Sequence, residues 1–256
     1  MVRIHLGPPK NLLFNYPQHF KMHKYSNLSN YSAKEIHNLG RTSREKDAHL
    51  EALQYLDQSI IGYQKEKDYR GIIDALAERT ITWKHFFLLT NDMVYAILAQ
   101  KDAEAMLNIS QEKKLKDKLS TSFFRLGEVA MLFKEHTKAI NYYKKSLVYY
   151  SGILSQKGQF RYHLGEALYR NDEKKRGKKL MIKGLEEIKE GSKKAPAFFI
   201  HVWESGCRMQ LADLLRKDEP EEAKKHLIEA EKIIKTDKKL IIRKRQFKEL
   251  KKTFSF

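Results

Sequence analysis

The chain has 256 residues, 41% of them hydrophobic, with 12 Gly, 5 Pro, one Cys and a formal charge of +18. The hydrophobic share excludes a disordered tail, the scarcity of Gly and Pro beside abundant Lys, Leu, Glu, Ala and Ile favours helix over sheet, and a lone Cys207 excludes an intramolecular disulfide or a cysteine-rich metal centre. The charge is compatible with acidic partners (nucleic acid, an anionic membrane, an acidic protein) and equally with lysines that solvate outer helix faces.

Residues 1–41 contain Pro8, Pro9 and Pro17, which block regular helix, so they are expected to form a poorly ordered segment outside the fold. Their start is unusual. Val2-Arg3-Ile4 can be encoded by GUU CGA AUC and Pro9 by CCA, strings found in the T-loop and at the 3′ end of a bacterial transfer RNA. The apparent start is therefore expected to lie inside an upstream tRNA gene, with translation beginning later, near Met22. The nucleotide sequence of the first nine codons tests this. No apolar run reaches the roughly 20 residues that span a bilayer, and the N-terminus lacks the apolar core of a secretory signal. A cytoplasmic protein is the expectation.

From Thr42 the pattern is helical. Thr42 and Ser43 are expected to cap a helix carrying Leu50, Leu53, Leu56, Ile60 and Tyr63 along one stripe. A polar break at Lys67 and Asp68 precedes a second helix through about Leu89, and Asn91-Asp92 caps a third. The break at Gln111–Lys114 leads into "FFRLGEVAMLFKEHTKAINYYKKSL", and 38 residues on comes "QFRYHLGEALYRNDEKKRGKKLMIKGL". Aligned on Gly127 and Gly165, Leu126 matches Leu164, Ala139 matches Gly177, Tyr143 matches Met181 and Ser146 matches Gly184. Small residues let two helices approach and large ones fill the adjoining holes; one such hairpin cannot bury its own apolar face, so hairpins stack. "EPEEAKKHLIEAEKI", with Ala223, Leu227 and Ala230, and "EALQYLDQSI", with Ala52, Leu56 and Ser59, look like further second helices. No convincing alternating strand occurs.

This arrangement resembles the tetratricopeptide repeat (TPR), in which a Leu-Gly pair on one helix is followed by Ala, an aromatic and Ala-Leu on the next. The first segment fits well; the second is read as having Gly in place of Ala and four extra residues in the connection. The resemblance covers about residues 45–235 and is strong over 120–187. It implies an all-α, right-handed α-solenoid of antiparallel helix pairs over residues 42–235, whose first helices line a concave groove. Transferred to this chain, groove positions are Phe124, Glu128, Met131 and Leu132, then Tyr162, Glu166, Tyr169 and Arg170, with Arg208 and Arg216 by looser alignment. An aromatic and a carboxylate at matched heights suit a peptide with apolar anchors and a basic group. Structural roles are the alternative: Glu128 pairing with Arg125 one turn back, Tyr162 packing between repeats. The positions where related repeats grip a chaperone's C-terminal carboxylate carry Phe124, Glu128, Tyr162 and Glu166, so that clamp is absent.

"TWKHFFLL", with Trp83, His85, Phe86 and Phe87, either stacks a ligand or fills a wide gap between repeats, and Trp203 reads the same way. Thr236-Asp237 offers an N-cap for a tail, residues 236–256, whose Leu240, Phe247, Leu250 and Phe254 share a stripe. From Thr236 to Thr253 eight Lys/Arg face two acids. This is a capping helix or a dock for RNA, DNA or anionic lipid, and burial of Phe247 against the stack would favour the cap. The ten His show no His-Glu-x-x-His spacing, and neither a phosphate loop nor a nucleophile turn is present. No catalytic residue, cofactor or metal is expected. The reading is a non-enzymatic protein- or peptide-binding scaffold; the alternative is a basic nucleic-acid-binding repeat protein.

Overall fold

A computed structural model describes residue 28 and residues 30–254. Eleven α-helices follow in order among the described residues: α1 Ala33–Glu45, α2 His49–Glu66, α3 Tyr69–Thr90, α4 Met93–Glu112, α5 Lys116–Leu132, α6 His136–Tyr149, α7 Leu154–Arg170, α8 Lys174–Glu190, α9 Ala197–Leu215, α10 Pro220–Thr236 and α11 Ile241–Lys251. Each odd helix up to α9 pairs with the even helix that follows it, and successive pairs stack into a right-handed solenoid. No strand occurs among the described residues.

The turns explain why the pairs are tight. Asp47, Lys67, Asn91, Lys114, Lys134 and Asp172 all adopt positive φ, between 54° and 65°, the left-handed geometry that lets a helix end and reverse within a few residues. Asp68 and Asp92 accept hydrogen bonds from the amides of Gly71 (2.9 Å) and Val94 (3.0 Å), satisfying the open N-termini of α3 and α4. On α2, Ala52, Leu53, Leu56, Ser59 and Tyr63 form the buried stripe.

Between α7 and α8 the backbones touch. A Cβ on Gly165 would lie 2.7 Å from the Gly177 carbonyl oxygen, and one on Gly158 only 2.5 Å from the carbonyl oxygen of Gly184. Gly127 on α5 instead receives a ring: its absent side chain makes room for Tyr143, whose nearest atom would be 2.5 Å away. Ala139, Tyr143, Ala223 and Ala230 are likewise fully or almost fully buried. Leu126 joins a cluster with Ala99 and Ala103 of α4, and Leu164 joins one with Ala139 and Tyr143. Phe124 stacks on Phe160 at 4.1 Å, tying α5 to α7.

Four expectations are corrected. Residues 33–41 are helical, not poorly ordered: Ser32 and Glu35 form a reciprocal capping box that starts α1, so the helical domain begins ahead of Thr42. Residues 1–27, which carry the prolines and the proposed tRNA-derived start, lie outside the described residues. Thr42 and Ser43 end α1 rather than cap α2, whose N-cap is Ala48 without a side-chain bond. The α5–α6 and α7–α8 connections have the same length, residues 133–135 and 171–173, so there is no insertion. Asp237 closes α10 and accepts from the Lys239 amide (3.0 Å), while α11 starts after Leu240. Phe247 and Leu240 are buried with Met209, Leu227 and Ile234, so the tail stripe packs on α9 and α10 as a cap does.

Candidate functional site

Residues of the odd helices α1, α3, α5, α7 and α9 and of α11 line a half-open cavity of about 750 Å³. One part of its wall is apolar, from Phe198, Phe199, Val202 and Trp203 of α9. Another is polar, from Gln156, Gln159, Tyr162 and His163 of α7 and from Arg243 and Gln246 of α11.

Most of the charge here is internally matched. Glu128 receives Lys84 of α3 at 2.5 Å and Arg125 of its own helix. Burial opposes the charged form of Glu128, but these two cations outweigh it and hold the carboxyl far below the ordinary range. Arg44 pairs with Glu78 and Glu45, and Asp213 meets Arg170 at 3.7 Å. Arg245 of α11 binds Asp47, in the α1–α2 turn, through two hydrogen bonds of 2.8 Å each. His163 is packed among Phe124, Tyr143 and Tyr162, and burial pushes its imidazole down to about 3, so it is neutral. His85, stacked in parallel on His49 at 5.1 Å, is pushed well below the ordinary histidine range by the same cause.

Arg243 differs. It donates one hydrogen bond, to Gln246 at 2.7 Å, and has no carboxylate within ion-pair reach among the described residues. Its guanidinium lies over Gly206: a Cβ there would be 2.9 Å from Nη2 of Arg243 and 3.4 Å from the Tyr162 hydroxyl.

The structure brings only part of the expected groove set to this cavity. Glu128 and Tyr162 line it. Phe124, 1% exposed, belongs to the core between α5 and α7, with Met131 packed against the same cluster. Glu166 is buried and bound to Arg170 at 3.0 Å. Tyr169 is buried and its hydroxyl donates to the Leu214 carbonyl at 3.3 Å. Arg208 pairs along its own helix with Glu204 at 2.8 Å. Arg216 donates to the Thr253 carbonyl. Both carboxylates expected to greet a basic ligand are therefore already neutralised. Sequence reasoning reached α9 through Arg208 and Trp203, of which Trp203 lines the cavity, and missed α11 as a wall; the small Gly206 beside an aromatic run was a further signal on α9.

In the aromatic run, Phe86 and Trp83 stack on Tyr95 of α4 at 5.1 and 6.0 Å while His85 turns inward, so these rings join α3 to its neighbours. Leu88 and Leu89 stay exposed. Trp203 stacks on Phe199 at 5.9 Å and lines the cavity. Cys207 is fully buried; burial pushes its thiol well up, and its Sγ points to the Met181 carbonyl at 3.7 Å. That is the environment of an inert structural thiol. Among the described residues no group of His, Cys, Asp and Glu could hold a metal, and no helix is long and apolar enough to cross a membrane.

No family model matches the chain, and neither does any curated protein. Solved structures do. TPR-like repeats assigned to a putative kinesin light chain of Podosopora anserina superpose with a TM-score of 0.51 at 14% identity, covering 80% of this chain and 96% of theirs. A point variant of the same repeats gives 0.52 at 14%, covering 78% and 93%. The chain thus has the fold of the TPR-like helical-repeat solenoids.

Proposed function

We propose that the protein is a non-enzymatic scaffold that binds a peptide or protein segment in the cavity between the odd helices and α11. The observation that carries this is the cavity itself. At about 750 Å³ it falls in the roughly 300–1,000 Å³ range of ligand pockets, with the aromatic wall and few polar groups such pockets use. Its floor rests on successive hairpins, so a bound segment bridges several repeats at once. Glu128 and Tyr162 remain groove residues in this reading; Phe124, Glu166 and Tyr169 support them from behind.

The test is a selection of binders from a synthetic peptide library, followed by affinity measurement on Gln159→Trp, which puts a bulky ring into the cavity. Selected peptides are expected to lose binding to this variant. Binding that is indifferent to the obstructed cavity overturns the proposal.

Nucleic acid is the second reading, favoured by Lys175, Lys179 and Lys183, which stand exposed along one face of α8 without an ion-pair partner among the described residues. Several other lysines are spent on neighbours, as Lys174 on Asp218 and Lys178 on Glu219 and Glu222. Affinity for a DNA duplex that falls steeply with salt and with charge reversal at these three lysines supports this reading; its absence removes it.

A further inference from the structure

Ten charged side chains line the cavity: Arg44, Lys84, Arg125, Arg243 and Arg245 against Glu45, Glu78, Glu128, Asp213 and Glu249. Nine are committed. Arg44 holds Glu45 and Glu78, Lys84 and Arg125 share Glu128, and Arg245, Asp213 and Glu249 are bound to Asp47, Arg170 and Lys252 at the rim. Arg243 alone lacks an opposite charge among the described residues; its side chain is half-buried and faces the cavity.

Its position is fixed rather than incidental. Leu240 and Phe247 anchor α11 in the core on one side, and Arg245 ties the same helix to Asp47 on the other. The side chain reaches α9 where Gly206 offers no Cβ, and the Tyr162 hydroxyl lies beside the same point: a Cβ there would be 2.9 Å from Nη2 of Arg243 and 3.4 Å from that hydroxyl. Three helices therefore converge on one spot with a rigid fork of N–H donors and a phenol. That donor set matches the plane of a carboxylate.

We infer that Arg243 and the Tyr162 hydroxyl form a carboxylate-reading subsite, and that the cavity takes an acidic peptide segment whose neighbouring apolar side chain lies on Phe199, Val202 and Trp203. This deepens the peptide-binding reading and rests on it. It also reverses the charge expected from sequence, because Glu128 and Glu166 are saturated by the protein's own cations. A carboxylate fits better than a phosphate: one uncommitted cation matches a monoanion, whereas a dianion would leave a charge without a partner in the cavity.

The test uses the full chain and a synthetic library of peptides with free C-termini. Peptides that bind the parent and fail on Gln159→Trp are re-made with Asp and Glu changed to Asn and Gln, and separately with an amidated C-terminus. One of these two changes is expected to weaken binding about tenfold or more; which one does so tells a side-chain carboxylate from a terminal one. Arg243→Gln should cause the same loss and abolish the difference between acid and amide peptides, while Arg243→Lys retains part of it. The thermal midpoint of Arg243→Gln should equal the parent's, since no ion pair is broken. Cavity-dependent peptides that ignore both their own charge and Arg243→Gln overturn the carboxylate subsite and leave the peptide groove standing. Selection of phosphopeptides over their Asp and Glu counterparts also overturns it. A library without any cavity-dependent binder overturns both.

Discussion

The α5–α6 and α7–α8 hairpins stand 38 residues apart in sequence, and at matched heights they solve the same contact differently. In the first, Gly127 faces the ring of Tyr143, and lower down the Ser120 hydroxyl donates to the Ser146 carbonyl at 2.9 Å. In the second, Gly165 faces the backbone of Gly177, and the Ser120 and Ser146 positions become Gly158 and Gly184, again backbone on backbone. One pair is spaced by side chains and the other by main chain. A glycine at a repeat position thus licenses close approach without setting the distance. The residue opposite sets it.

That contrast can be broken most sharply at Gly177. A Cβ there meets the Tyr169 nitrogen at 2.5 Å and the Gly165 oxygen at 2.6 Å; main chain cannot swing aside, so Gly177→Ala should cost about 3 kcal/mol in urea unfolding. Equal stability would mean the α7–α8 contact is looser than described. The next effect concerns pH and the pair of matched positions Arg125 and His163. His163 has its affinity for protons depressed by burial to about 3, beside Glu128, Lys84, Arg125 and Arg243. The unfolded chain takes up a proton below about 6.5 that the folded chain refuses, so stability falls as pH drops from about 6.5 towards 3, by about 1.4 kcal/mol per unit. His163→Phe should flatten part of that slope in melts at pH 4.5–6.5, whereas an unchanged slope would assign it to the other buried histidines.

Gly127→Ala should cost about 1 kcal/mol, because the Tyr143 ring resists the new methyl while alanine regains helix propensity. A loss equal to that of Gly177→Ala would erase the distinction between the two hairpins. Ser120→Ala removes the bond to Ser146 and is expected to cost about 1 kcal/mol, measured by the same unfolding curves. The smallest effect lies in the matched turns. Lys134 and Asp172 both have positive φ, 58° and 65°; Lys134→Gly should stabilise by about 0.5 kcal/mol, and Asp172→Gly by less, since Asp tolerates this geometry better than Lys.

The repeat was legible because its determinants are local: Gly127 and Ala139, or Gly165 and Gly177, sit on one hairpin and recur at fixed spacing. The start of α1 was also readable, since Ser32-x-x-Glu35 is a capping box, but the upstream prolines drew the boundary too far along. The cavity was only partly legible. Tyr162 and Glu128 follow from helix position, yet whether Glu128 is free depends on Lys84, 44 residues away. Arg243 lines the cavity because α11 packs beside α9 and is bonded to the α1–α2 turn, and no periodicity records that. Conversely, Phe124 has the right helix and height for a groove but turns towards Phe160, a choice made by the neighbouring hairpin.

The bond between Arg245 and Asp47 joins residues 198 positions apart. As a half-buried ion pair still in reach of solvent it adds little strength of its own, about 1 kcal/mol. Its effect is on connectivity. An array of repeats is ordinarily an open spring that frays from whichever end is weaker, but here α11 is buttoned to the α1–α2 turn, and the spring becomes a hoop. Fraying of α11 and opening of the α1–α2 turn are thereby coupled through that one bond.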